Sequence, residues 1–247
     1  MAERKKIILF IVEGITDQTC LGYVLSKIIN SNKVEFQLTN GDITTITGIN
    51  PSNVPAKIFD VVKEFSGKIF KARDFCEIVH LVDMDGAFIP NNNLALKTPE
   101  TPGDPSNPKK LYYSDDQIFV NNIVDTQQRN HQKQAIINRL ITLPNIWKTI
   151  PYSIYFFSCN LDHVIHGERN LLDKDKFAKA DAFNAQFEVC NGDPAKQFVD
   201  FLNTPEFAVQ GEYEETWTFI KADTNSLKRS TNFHLFFSSP KNPRMES

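Results

Sequence analysis

Two carboxylates, Asp83 and Asp85, follow the apolar run Ile78-Val79-His80-Leu81-Val82 and precede Gly86. A near-continuous apolar run of this kind reads as a strand buried on both faces of a parallel sheet. Open α/β sheets place their ligands at the carboxyl ends of such strands. Burying one unpaired carboxylate is costly, and two side by side repel each other. A divalent cation is the simplest way to make such a pair favourable, and oxygen-only ligands select a hard ion, Mg²⁺ or Mn²⁺. A second acidic group ends another such run: Ile7 to Val12 leads into Glu13-Gly14, with Asp17 one turn further on. If the two strands are neighbours, both acidic groups face one another at the same edge of the sheet.

The elements that must position these groups can be read from the apolar pattern. Leu21, Val24, Leu25, Ile28 and Ile29 fall at helical spacing, with Thr16 or Asp17 as a cap and Asn30-Ser31-Asn32 as a stop. Val34, Phe36 and Leu38 alternate with polar residues, as in a half-exposed strand, and Asn40-Gly41-Asp42 ends it. Val54, Ile58, Val61, Val62 and Phe65 predict a second helix returning to the Asp83 strand. The order β-α-β-α-β implies a parallel sheet covered by helices. Five prolines between Phe88 and Tyr112 predict a long loop. A helix with inner residues Ala135, Ile136, Ile137, Leu140 and Ile141 follows, then a fourth strand over Tyr152 to Phe157. Asp193-Pro194 and Thr204-Pro205 each look like the start of a helix. The final forty residues are rich in aromatic anchors but fit neither period. The expected plan is an α/β core over residues 1–160, a sheet of about four strands with a loop insertion at about 87–112, and a mainly helical extension over 161–247.

Composition narrows the function classes. The 247 residues are 41% hydrophobic and 23% charged, enough for a sizeable core, and the net charge of −3 supplies no global basic field for nucleic acid. A polyanion would need a local basic patch or a metal. Twenty phenylalanines, concentrated in the last third, suggest a separate packed cluster there. Cys20, Cys76, Cys159 and Cys190 form no CxxC pair, which argues against zinc and fits reduced thiols in a cytoplasmic protein. The apolar run near the start is interrupted by Glu13, too early for a signal peptide or a bilayer span, so no membrane association is expected.

Glu13-Gly14 at the end of the first strand and Asp83-x-Asp85 at the end of a later one resemble the two signatures of a Toprim domain, and within that group the nucleases of the OLD and RloB type. The resemblance spans roughly residues 6 to 160. It implies a nuclease that cleaves phosphodiester bonds in DNA or RNA, with Mg²⁺ or Mn²⁺ held by Asp83 and Asp85. It further implies that Glu13 is a ligand or the group that moves a proton at the scissile phosphate, and that phage defence is a plausible setting. Asp17 is either a second-metal ligand or a residue favoured by the helix N-terminus. Asp162, after the fourth strand, either joins the metal or caps the next helix, as Asn160 also can. His163 and His166 lack a third ligand for zinc, and His80 inside a strand reads as a hydrogen-bonded core residue. Lys109-Lys110, Lys221 and Lys228-Arg229 are candidate phosphate contacts. The C-terminal part is expected to shape substrate access or to mediate association with another copy or a partner subunit.

Three alternatives are set against this. DMDG also resembles the HAD phosphatases, but they carry it on their first strand, usually with Thr after the Gly, where this chain has Ala87. An EF-hand needs a bidentate Glu where Leu94 stands. The third is a domain that keeps the acidic pocket without turnover and acts as a binding module for nucleic acid or a partner.

Overall fold

The computed structural model describes residues 6–29, 33–188 and 192–238. Its chain order is β1 (Ile7–Val12), α1 (Ile15–Ile28), β2 (Lys33–Leu38), α2 (Val54–Ser66), β3 (Phe75–Asp83), β4 (Leu94–Leu96), β5 (Tyr112–Tyr113), β6 (Ile118–Val120), α3 (Ile123–Ile141), β7 (Asn145–Ile146), β8 (Ile150–Phe157), α4 (Leu161–His166), α5 (Lys176–Glu188), α6 (Pro194–Leu202), α7 (Tyr213–Lys221) and α8 (Leu235–Ser238). The helix stop Asn30-Ser31-Asn32 and Cys190 lie outside the described residues.

The apolar run Ile7–Val12 is buried along its whole length, and a strand apolar on both faces belongs inside a sheet. The sheet order is β2-β1-β3-β8-β7. β2, β1, β3 and β8 run parallel, and short β7 turns back antiparallel onto β8. Alternate side chains of β1 feed two cores. Ile8, Phe10 and Val12 face α1, α5 and α6, while Ile7, Leu9 and Ile11 face α2 and α3. Each such aliphatic or aromatic side chain contributes roughly 1.5–3 kcal/mol on burial.

The phenylalanines of the last third do not form a separate cluster. Phe183, Phe198, Phe233, Phe236 and Phe237 pack in the same core as Phe10 and α1, because a two-faced sheet with only α1 on that side leaves apolar surface to cover. Thr204-Pro205 does not open a helix. It follows α6 in a turn, where the Thr204 hydroxyl donates to the Phe201 carbonyl at 2.6 Å and the Ala208 N–H donates to the Thr204 carbonyl at 2.9 Å.

Between β3 and α3 the expected loop contains a three-stranded sheet of order β4-β6-β5. Its strands are two or three residues long, too short for a period to show in sequence. Ile89, Leu94, Tyr113, Ile118 and Val120 pack there against Cys159 and Leu227. Helix α3 begins twelve residues before the first inner residue named from the pattern (135 − 123), capped by Asn122, whose side chain accepts from the Asp125 N–H. Among the described residues, no helix is long and apolar enough to cross a membrane.

Candidate functional site

Because β1 and β3 are adjacent and parallel, Glu13, one residue past β1, and Asp83, the last residue of β3, come to the same edge of the sheet. The residues between them are set by tight backbone. Asn40 and Gly41 take φ values of 53° and 128°, turning the chain after β2 back toward the sheet. The Gly41 N–H donates to the Glu13 carbonyl at 3.1 Å, which delivers Asp42 beside the acidic residues. After β3 the chain makes a second turn. The Met84 N–H reaches the Phe157 carbonyl at 2.9 Å and the Asp85 N–H reaches the Cys159 carbonyl at 2.7 Å. Asp85 sits there at φ 47° and Gly86 at φ 62°, so two successive residues are left-handed, a strain that non-glycine residues adopt only when their surroundings hold them. The holding group is the segment after α7, where the Cys159 N–H donates to Ser226 and the Ser158 N–H to Ser230.

The four acidic residues are electrostatically one group. Burial raises the Glu13 carboxyl well above its ordinary range; Asp42, Asp85 and Asp17 push the same way and Lys133 opposes them. Burial likewise raises Asp83, reinforced by Glu13, Asp17 and Asp85. Asp17 is pushed up to about 6 by burial, against the hydrogen bond from the Gly14 N–H, with Asp162 adding to the rise. Asp85 behaves oppositely: although burial alone would raise it, Lys133 and Arg129 hold it below the usual carboxylate range.

Hydrogen bonding explains the difference. Asp85 Oδ2 receives Arg129 at 2.6 Å and Lys133 at 2.8 Å, and Oδ1 receives the Tyr113 hydroxyl at 3.1 Å. Lys133 is fully buried and also donates to Asp42 at 2.7 Å, and these carboxylates keep it charged. Asp83 accepts one backbone N–H, from Leu161 at 2.9 Å, and makes no ion pair among the described residues. Glu13 Oε1 is buried without a hydrogen-bond partner among the described residues. Asp17 accepts the Gly14 N–H at 2.9 Å, the helix-start role. Asn160 caps α4 by accepting the His163 N–H at 2.9 Å, while Asp162 pairs with Lys176 at 3.0 Å.

Glu13 and Asp83 therefore have oxygens left over for a cation, while Asp85 already takes three protein donors, two on Oδ2 and one on Oδ1. Among the described residues, no three His, Cys, Asp or Glu side chains are arranged together as metal ligands. Asp83 and Asp85 open onto a cleft of about 490 Å³ whose lining includes Lys109, Arg129 and Lys176.

Several sequence candidates have other jobs. Lys110 donates to the Leu171 carbonyl and to Asp173. Arg229 donates to the Val164 carbonyl and pairs with Glu206. Lys221 lies over the rings of Phe88 and Trp217. His80 is buried, with Nδ1 2.8 Å from the Tyr152 hydroxyl, as a core residue should be. The residues missed by sequence reasoning are Asp42, Tyr113, Arg129, Lys133 and Lys176. A signal existed for two of them: Thr126, Arg129, Asn130 and Lys133 lie at i, i+3, i+4 and i+7, a polar stripe on the inner face of α3.

Fold and site together define an α/β protein with a mostly parallel sheet and a buried cluster of carboxylates and cations at the sheet's carboxyl edge. The chain matches no family profile, and no curated protein or solved structure gives a significant match. The Toprim resemblance thus rests on the Glu13-Gly14 and Asp83-x-Asp85 motifs.

Proposed function

We propose that the protein is a divalent-metal-dependent nuclease that hydrolyses phosphodiester bonds in DNA or RNA, with phage defence as the setting its OLD and RloB resemblance suggests. The observation that carries this reading is the pair Glu13 and Asp83, both raised by burial and by neighbouring carboxylates, Glu13 with an oxygen that nothing among the described residues satisfies. Two such groups destabilise the fold unless protonated or bridged by a cation. A perturbed acid that opens onto a cleft, as Asp83 does, marks a candidate functional site.

Glu13 and Asp83, with Asp17 and Asp85 beside them, are the residues that would hold Mg²⁺ or Mn²⁺. Bound there, the ion would neutralise charge on the phosphoryl group and make a water molecule more acidic. Arg129 and Lys109 on the cleft wall offer positive charge to a phosphate. Glu13, whose carboxyl burial raises well above its ordinary range, is suited to hold or move a proton at the scissile phosphate.

The test is calorimetric titration with MnCl₂ in two buffers of different ionisation enthalpy, together with cleavage of labelled oligonucleotides. The two buffers report any protons that metal binding displaces, and Glu13→Gln and Asp83→Asn are expected to abolish both binding and cleavage. These two variants probe the reading more cleanly than Asp85→Asn, because Asp85 also pairs with the buried Lys133. Neither Mn²⁺ binding nor cleavage in the unaltered protein would end the proposal. The second reading, a binding module without turnover, draws on one observation: Asp85 already accepts from Tyr113, Arg129 and Lys133. Tight nucleic-acid binding with no product would select it.

A further inference from the structure

Resting on the nuclease reading, we infer that the site takes one divalent ion per chain, because Lys133 and Lys176 hold the flanking positions that a second ion would need. Each face of the sheet brings its own charged residues to the carboxyl edge. Asp42 and α3 lie on the face where Ile43, Ile136 and Ile137 share a core. Asp17, Asp162 and Lys176 belong to α1, α4 and α5, which share the core on the opposite face. Glu13 and Asp83 stand between the two faces, at the ends of neighbouring strands.

On the α3 face the protein supplies a cation of its own. The Lys133 side chain is 0% exposed, and its ammonium lies 2.7 Å from Asp42 Oδ2 and 2.8 Å from Asp85 Oδ2. Asp42 comes from the turn after β2 and Asp85 from the turn after β3. Two carboxylates from separate parts of the chain thus converge on one positive charge, the arrangement that a bridging metal ion also produces. An ammonium is a compact point charge with three donors, and two oxygens at this distance engage it directly. A free ion could take its place only by expelling a buried charge, which is costly.

On the α1 face Lys176 fills the corresponding position. Its ammonium lies 3.0 Å from Asp162 Oδ2, and Asp17 lies within reach of the same charge. Glu13 and Asp83 remain between the two lysines, and neither makes an ion pair among the described residues. Two-metal phosphodiesterase sites hold their ions roughly 3.5–4 Å apart. A second ion that close to Glu13 and Asp83 would have to draw on Asp42 and Asp85 or on Asp17 and Asp162. Each of those sets already carries a lysine. With a lysine on each side, no three of the carboxylates converge among the described residues.

The experiment counts the Mn²⁺ bound per chain. Unaltered protein, Lys133→Met and Lys176→Met are titrated with MnCl₂, and the electron paramagnetic resonance of the free ion gives the number bound. Two neighbouring bound ions would also show a spin-coupled spectrum. One uncoupled ion is expected in the unaltered protein, rising to two in each variant. Should Lys133→Met fail to fold, the unaltered protein and Lys176→Met, whose lysine is 25% exposed, decide the matter. Two ions in the unaltered protein would overturn the inference and leave the nuclease reading standing. A single ion in every folded variant would also overturn it, since the lysines would then not be what bars the second ion. A second ion in only one variant would confine the role to that lysine and overturn it for the other. No Mn²⁺ bound by the unaltered protein would overturn both the inference and the nuclease reading.

Discussion

Lys133 offers the sharpest test of the electrostatic account. Its side chain is 0% exposed, 2.7 Å from Asp42 and 2.8 Å from Asp85. Replacing it with Met keeps the aliphatic stem and removes the charge. In surroundings of effective dielectric about 20, one unit pair at about 4 Å is worth about 4 kcal/mol before desolvation is subtracted. Lys133 serves two carboxylates and recovers much of its own desolvation when removed. What remains is a buried Asp42, still bonded to the Thr44 N–H and hydroxyl, and an Asp85 still held by Arg129. Breaking one side of a buried ion pair costs about 3–5 kcal/mol, and Lys133→Met is expected to fall in that range. Urea unfolding followed by circular dichroism measures it. The loss should persist at high salt, because counter-ions screen buried charges poorly, and Asp42→Asn added to Lys133→Met should recover part of it. A cost below about 1 kcal/mol, the level of an exposed pair, would refute the reasoning.

Asp17, raised to about 6 from an ordinary value near 4, binds more protons folded than unfolded between those values. The Asp17 contribution to stability is therefore full below pH of about 4 and is lost as pH rises through about 6. Asp17→Asn should flatten that part of a thermal-stability profile, and a profile unchanged by the substitution would count against the assignment. Gly86→Ala should cost about 1–3 kcal/mol, since φ is 62° and a Cβ there would lie 2.2 Å from Ile118 Cδ1. Gly41→Ala, with φ 128° but nothing within 4 Å, carries the backbone strain without the clash, and should cost less in the same denaturation experiment.

How much of this was legible in the sequence depended on whether a position is governed by local pattern or by distant contact. The β1 and β3 runs and the helical spacing of α1 and α2 are local, and they suffice to bring Glu13 and Asp83 to one edge of the sheet. Asp42 was readable only as a turn residue, because its place beside Lys133 comes from the Gly41–Glu13 hydrogen bond. The first turns of α3 lacked an apolar stripe because their inner face carries Thr126, Asn130 and Lys133, buried polar groups whose partners lie far away in sequence. Asp85 was expected to face an ion; its preference for Arg129 and Lys133 depends on a helix whose beginning the pattern did not mark. Arg229 looked like a surface cation, and only the folded chain shows it bonded to the Val164 carbonyl near the end of α4.

The strand that comes last in the chain's business is not a strand at all. Thr231 bridges Phe157 and Ala208, Asn232 accepts the Phe156 N–H at 2.9 Å, and Ser226 receives the Cys159 N–H at 3.0 Å beneath the Asp85 turn. Residues 7–160 thus carry Glu13, Asp17, Asp42, Asp83 and Asp85, while the segment that backs the Asp85 turn from beneath comes far later in the chain. The acidic edge of the sheet is therefore coupled to the docking of residues 226–232 against the end of β8.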